Sequence, residues 1–286
     1  MNWFFLSIIA TSAFGTQSFL YKSAVARGCN KFLVTLTFMA TVELLAIFSF
    51  LYQGAHISQL LFTAILGFLF ASLFWLKTLG QLKALEYLPT NKVFPITSSS
   101  VAVTVIYALV LLKESITPLQ LFGILSIVLA GVLINRESKK RSDYHENKIG
   151  FLISFLVILP AAAMEITNKY AALNTNINFF IVVTYLFSIL ISSSSYLVTR
   201  KANQISKNIT RDSIKFGLLI GIINFIGYLS ILSALKTGHL SLIAPILALS
   251  VIITVLLAKI VHKEELNIRQ FGLVLLSVFG IVLLRI

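Results

Sequence analysis

Three charged side chains, Glu43, Lys77 and Glu165, interrupt long apolar runs of the sequence. A charge in such a run needs a partner or water, because hydrocarbon alone does not solvate it. Glu165 precedes Lys169 by four residues, which is a favourable spacing for an ion pair on one helix. Glu43 and Lys77 are a second potential pair. The alternative is a polar cavity in which Glu165 binds a cation or a proton and Lys77 attracts a carboxylate.

Aromatic and polar side chains also recur together at helical spacing. Asn224 and Tyr228 are four residues apart, and the first apolar run has a similar group at Phe14, Gln17, Ser18 and Tyr21. A third group shares one helical face and consists of Phe70, Phe74, Lys77 and Gln81, with Trp75 alongside. Such groups suit recognition of an amphipathic solute, and helix packing is the alternative interpretation.

Two prolines, Pro95 and Pro245, lie inside apolar runs. Each removes a backbone hydrogen bond to the residue four positions earlier and kinks its helix. A carbonyl freed near the middle of a membrane must be satisfied or must line a wet cavity. A hinge or cavity function and a tolerated packing kink are therefore the two interpretations. Ser98 and Ser99 follow Pro95 by about one turn.

The composition identifies the solvent of the elements that carry these residues. Apolar residues make up 58% of the 286 residues and charged residues only 12%, and the mean hydropathy is +0.94. Soluble domains carry roughly 25% charged residues, so most of this surface must face lipid. Runs of about 20 mainly apolar residues span a membrane as helices. Ten such runs lie near 2–22, 32–52, 59–82, 93–112, 117–135, 149–171, 178–199, 213–236, 240–261 and 268–286.

The sequence repeats internally. A shift of 150 positions matches Pro95-Ile96 with Pro245-Ile246, Ser100-Val101 with Ser250-Val251, and Lys113-Glu114 with Lys263-Glu264. Each half holds five spans, and an odd number inserts the second half from the opposite side of the membrane. We therefore predict an all-α polytopic protein of ten transmembrane helices in two inverted repeats, 1–135 and 149–286, joined by a basic linker, 136–148. In the eighth span, Gly217 and Gly221 predict close approach of a neighbouring helix.

The net charge of +13 does not indicate nucleic-acid binding, because the basic residues collect in the short connections between apolar runs. There they orient the spans and meet the headgroups of membrane lipids. Connections 1–2, 3–4, 5–6, 7–8 and 9–10 carry most of them. The opposite side has only Lys113, Lys169, Lys236 and Arg285. Both termini are therefore expected outside the cell and the central linker in the cytoplasm.

These features resemble the drug/metabolite transporter superfamily, in its ten-helix EamA-type form, along essentially the whole chain. The matching features are a proline in the fourth span of each half, an acidic turn before each fifth span, and glycines within the fifth spans. They stand at Pro95 and Pro245, Lys113-Glu114-Ser115 and Lys263-Glu264-Glu265, and Gly123, Gly131, Gly272 and Gly280. Thr167-Asn168-Lys169-Tyr170-Ala171 resembles aromatic amino-acid exporters of this group.

The resemblance implies a central cavity lined by spans 1, 3, 4, 6, 8 and 9, with spans 5 and 10 at the periphery. It also implies cytoplasmic termini, as is usual in bacterial relatives, whereas the charges favour the reverse. The candidate substrate-binding residues are Phe14, Gln17, Tyr21, Trp75, Lys77, Pro95, Ser98, Ser99, Glu165, Asn168, Asn224, Tyr228 and Pro245.

Signatures of enzymes are absent from the sequence. The four histidines, His56, His145, His239 and His262, lack metal-ligand spacing, and no phosphate-binding glycine motif occurs. We expect a non-enzymatic inner-membrane protein without cofactor or metal, monomeric, with a homodimer as the alternative. Its expected function is alternating-access transport of small organic solutes, with amino acids or related metabolites as the leading class and export as the direction. The alternatives are efflux of lipophilic cations and an intramembrane lipid-modifying enzyme.

Overall fold

A computed structural model describes residues 2–57, 59–88, 93, 96–136, 148–200, 207–262 and 268–285. Within these ranges the chain forms helices and no strand. In chain order the helices are α1 (Trp3–Ala26), α2 (Lys31–Tyr52), α3 (Leu60–Tyr87), α4 (Ser100–Val110), α5 (Pro118–Arg136), α6 (Lys148–Asn174), α7 (Ile177–Arg200), α8 (Lys207–Thr237), α9 (Leu240–Ala248), α10 (Ser250–His262) and α11 (Ile268–Arg285).

Many of the helices in the described ranges have the character of membrane spans. Six of those in the described ranges have the length and composition of membrane spans, and the described part of the chain has three shorter apolar helices at Ile96–Val110, Pro118–Ala130 and Ile177–Ser193. The all-α polytopic fold predicted from the sequence is confirmed. The helices extend beyond several of the predicted runs. For example, α8 begins at Lys207, six residues before the predicted run, because polar helix ends continue past the apolar stretch.

Polar residues in the short connections cap the first turns of helices. Asn30 caps α2 by accepting a hydrogen bond from the Leu33 amide at 3.0 Å. Before α5, the Thr117 hydroxyl accepts from the Gln120 amide at 3.2 Å, and the Gln120 side chain accepts from the Thr117 amide at 3.0 Å. This reciprocal pair is a capping box. Side chains of the connections therefore hydrogen-bond to backbone amides at the helix starts, which lipid hydrocarbon cannot do.

The fourth and ninth spans are interrupted at matching positions. In the ninth, α9 contains Pro245, ends at Ala248, and is followed by α10 from Ser250. The Leu249 amide bonds back three residues to Ile246 at 3.1 Å. In the fourth, the Ser99 amide bonds back three residues to Ile96 at the same distance. Pro95 itself lies outside the described residues.

Most of the packing joins the first five spans to the last five. The main contacts are α1 with α8, α3 with α6, α2 with α8, α3 with α7, and α2 with α7. α5 packs mainly against α11 and makes fewer contacts with α9. The predicted close approach at Gly217 and Gly221 occurs between α8 and α2. A Cβ atom on Gly221 would lie 2.5 Å from the Thr41 Cβ, and one on Gly217 would lie 2.6 Å from the Thr37 Cβ.

Candidate functional site

A cavity of about 450 Å³ lies among the helices. Its lining combines aromatic rings, amide and hydroxyl groups and two charged side chains. The lining residues are Phe14, Gln17, Ser18, Phe38, Met39, Phe70, Phe74, Lys77, Gln81, Thr97, Ser98, Ser100, Val101, Ala161, Met164, Glu165, Asn168, Tyr185, Ser188, Asn224, Tyr228, Ile231, Leu247, Ala248, Ser250 and Val251. Spans 2 and 7 thus contribute in addition to the six spans that the resemblance implied.

The structure brings most of the sequence candidates together in this lining. They are Phe14, Gln17, Lys77, Ser98, Glu165, Asn168, Asn224 and Tyr228. The whole face formed by Phe70, Phe74, Lys77 and Gln81 points into the cavity as well. Pro95 is outside the described residues, and the remaining four candidates are outside the lining.

Those four lie outside the cavity lining, at different places around it. The Tyr21 hydroxyl is 3.3 Å from the Thr35 hydroxyl, and its ring contacts Phe38 of the lining. Trp75 is half-buried on α3, on a neighbouring face of that helix. Ser99 occupies the interrupted turn between two lining serines, and Pro245 is buried within α9.

The two charged lining residues, Lys77 on α3 and Glu165 on α6, are near enough to influence each other electrostatically. Among the described residues they form no direct ion pair, and the Glu165 Oε2 atom is buried without a hydrogen-bond partner. The hydroxyl of Thr104 lies beside the same carboxylate. The cavity therefore offers an ammonium and a carboxylate that do not neutralise each other by contact.

The two ion pairs considered from the sequence are not formed. Lys169 turns away from Glu165 and lies 3.7 Å from Glu114. Its ammonium donates to the carbonyl oxygens of Leu235 and Gly238, at 3.0 and 2.7 Å. Lys169 therefore has two carbonyl oxygens and a carboxylate from other parts of the chain as partners, whereas α6 offers it Glu165 alone. The other pair fails because Lys77 faces Glu165 instead of Glu43.

Hydrogen bonds connect polar lining residues from opposite ends of the chain. Tyr185 donates to the Asn224 side-chain oxygen, and the Asn224 amide donates to the Gln17 oxygen at 2.9 Å. The Tyr228 hydroxyl donates to the Asn168 oxygen, also at 2.9 Å. These bonds hold the polar groups in fixed orientations, so the lining is organised before any ligand binds.

Aromatic rings form a continuous wall on one side of the cavity. The ring of Tyr185 lies 6.3 Å from that of Phe38 and 5.7 Å from that of Tyr228. Tyr228 in turn lies 5.7 Å from Phe70. Sequence reasoning missed Tyr185 and Phe38. Both belong to apolar runs in which nothing distinguishes a cavity-facing ring from a packed one.

The interrupted turns of the fourth and ninth spans both line the cavity, at positions related by the same shift. Thr97, Ser98, Ser100 and Val101 correspond to Leu247, Ala248, Ser250 and Val251. The carbonyl of Ile246, which accepts from the Leu249 amide, also accepts a hydrogen bond from the Thr11 hydroxyl at 3.1 Å. The non-helical backbone thus lies where it faces the cavity or a polar side chain, as a membrane interior requires.

These observations define a polytopic α-helical membrane protein built around a central chamber with charged and aromatic walls. The model of the EamA-like transporter family matches residues 1–136 and 148–286. The chain therefore belongs to the EamA-like transporter family, within the drug/metabolite transporter superfamily, and is a membrane transporter.

Comparison with solved structures supports the fold. One crystal structure, described only as that of a protein, superposes with a TM-score of 0.78 at 14% sequence identity. The superposition covers 99% of this chain and 98% of the other. At this identity the likeness concerns the fold alone. Comparison with curated proteins gives no significant match.

Proposed function

We propose that the protein is a secondary transporter that moves small organic solutes across the inner membrane by alternating access. Amino acids or related metabolites are the leading substrate class, and export is the expected direction. The observation that carries the proposal is the presence of Lys77 and Glu165 in one cavity without a direct ion pair between them.

This arrangement suits a zwitterion. The Lys77 ammonium would attract a carboxylate, and the Glu165 carboxylate would attract an ammonium group. The aromatic wall would hold the apolar part of the solute, and a cavity of about 450 Å³ is in the range of small-molecule sites. The substrate would thus replace the missing contact between the two charges.

The architecture supports alternating access. The cavity lies between the first five and the last five spans, and corresponding turns of spans four and nine line it. The principal helix contacts follow the same symmetry. The contact of α1, the first span, with α8, the third span of the second half, matches the contact of α6, the first span of the second half, with α3, the third span. We infer two inverted repeats, 1–135 and 149–286, that rock about the central site.

One alternative shares this cavity. Efflux of lipophilic cations is favoured by the aromatic wall beside Glu165, and it is opposed by the positive charge of Lys77 in the same lining. The two functions differ in the ligand that binds.

A thermal-shift experiment on the purified protein tests the proposal. Amino acids, the matching amines without a carboxylate, and lipophilic cations are compared, because a ligand that binds the folded state raises its unfolding temperature. We expect zwitterions to raise that temperature in the parent protein but not in Lys77→Met. Lys236→Met, which removes an exposed charge at the end of α8, serves as the control and should respond like the parent. Stabilisation by lipophilic cations alone, or an unchanged response in Lys77→Met, would contradict the proposal.

A further inference from the structure

A buried carboxylate joins the end of the fourth span to the start of the ninth. Glu114 follows α4 and accepts hydrogen bonds from the backbone amides of Leu240 and Ser241, at 2.8 and 2.9 Å. It also accepts from the Ser241 hydroxyl at 2.7 Å. These amides begin α9 and have no partner within their own helix.

Lys169 of α6 completes the contact. Its ammonium lies 3.7 Å from Glu114 and donates to the carbonyl oxygens of Leu235 and Gly238 near the end of α8. The two side chains are only 10% and 7% exposed, respectively. We call the contact of Glu114 and Lys169 with the ends of α8 and α9 the latch.

The charges of the latch match the helix ends that they hold. A carboxylate is favourable at the amino end of a helix, where α9 begins, and an ammonium is favourable at the carboxyl end, where α8 finishes. Opening the latch would remove these partners from four backbone groups, which are the amides of Leu240 and Ser241 and the carbonyls of Leu235 and Gly238. The contact therefore fixes one helix from the first five spans against three from the last five.

The latch lies immediately beside the cavity. Asn168, the residue before Lys169, lines the cavity, and so does Glu165 one turn earlier on the same helix. On α8, Ile231 lines the cavity one turn before Leu235. The latch thus joins cavity-lining helices at the ends that lie beside the 4–5 connection.

We propose that the latch is the gate that closes the cavity toward the face of the 4–5 connection. The chamber opens to that face only when Glu114 releases α9 and Lys169 releases α8. The inference rests on the proposed alternating access, and it adds the residues that hold one of the two closed positions.

Accessibility of a cavity cysteine tests the gate without any substrate. The reporter is Ile231→Cys in a Cys29→Ser background, in sealed vesicles of known orientation, with a membrane-impermeant maleimide added to one face at a time. We expect Glu114→Gln to accelerate labelling from the face of the 4–5 connection about tenfold, by a shift of population toward the open state. Labelling from the other face should become slower. Lys169→Arg, which keeps the charge, should label like the parent, and so should the control Lys236→Gln.

The outcomes separate a gate from a loss of structure. Equal acceleration from both faces, accompanied by a lower unfolding temperature, would show that Glu114 only stabilises the fold and would overturn the inference. Unchanged labelling from the face of the 4–5 connection would overturn it as well. Neither result depends on which solute binds, so the substrate class is tested separately by the thermal-shift comparison.

Discussion

At the scale of single residues, the two intramembrane carboxylates have different surroundings. Glu165 lies in the cavity and faces Lys77, whereas Glu43 is buried on α2 outside the described cavity lining. Each has a buried oxygen without a hydrogen-bond partner among the described residues. Of the two, Glu165 alone lines the cavity, and we propose that it exchanges a proton or a cation with a solute there.

We therefore expect Glu165→Gln to abolish the pH dependence of transport, because glutamine has nearly the same shape and does not titrate. Glu43→Gln makes the same chemical change outside the cavity and should keep the pH dependence of the parent. Initial rates in reconstituted vesicles, measured across a pH series, check both variants. A profile that survives in Glu165→Gln would remove this residue from proton coupling.

The candidate site was partly accessible to sequence reasoning. Charged or polar residues within apolar runs, such as Lys77, Glu165 and Asn224, were identifiable because lipid penalises them wherever they stand. Tyr185 and Phe38 were not identifiable, since an aromatic ring in an apolar run can pack between helices as readily as it can line a cavity. The ion pair of Lys169 with Glu165 was one of two interpretations of their spacing, and spacing along one helix says nothing about carbonyl groups that come from α8.

At the scale of helices, prediction was more successful. The apolar runs located the spans, because hydrocarbon thickness sets their length. The prolines predicted a kink in the fourth and ninth spans, and the interruptions lie at Ser99 and Leu249, four residues after each proline. The apolar runs alone did not reveal them. The glycine spacing on α8 did predict its closest neighbour contact, although the identity of the partner helix, α2, came only from the tertiary structure.

We expect Gly221→Ala to destabilise the protein by about 1–3 kcal/mol, because the new methyl group would overlap Thr41 of α2. Gly272→Ala is the matched control. A Cβ atom at Gly272 on α11 meets no atom within 4 Å, so this variant should be neutral or more stable by up to about 1 kcal/mol. Thermal unfolding of both variants in the same detergent measures the difference. Equal unfolding temperatures would contradict the tight α2–α8 contact.

At the scale of the whole molecule, the distribution of charge sets the expected orientation. Basic residues concentrate in connections 1–2, 3–4, 5–6, 7–8 and 9–10, and the linker 136–148, which is connection 5–6, carries several of them. The resemblance to bacterial relatives favours the opposite orientation, with both termini in the cytoplasm. The positive-inside bias acts on short connections such as these, so we expect the linker in the cytoplasm.

Two single-cysteine variants in the Cys29→Ser background test the orientation in intact cells. Ser115→Cys, at an exposed position in the 4–5 connection, should react with an impermeant maleimide. Ser142→Cys, in the linker, should react only after the membrane is opened. The reverse pattern would place both termini in the cytoplasm, as in bacterial relatives, and would contradict the orientation predicted from the charges.

The pairing of helices across the chain has a consequence for biogenesis. α1, α3 and α5 find their main neighbours in α8, α6 and α11, all of which are synthesised later. The first five spans therefore enter the bilayer while their eventual neighbours are still untranslated. Glu43 and Lys77 are then in the bilayer without their final surroundings. We expect the nascent chain to rely on the insertion machinery or on lipid headgroups until its second half is synthesised.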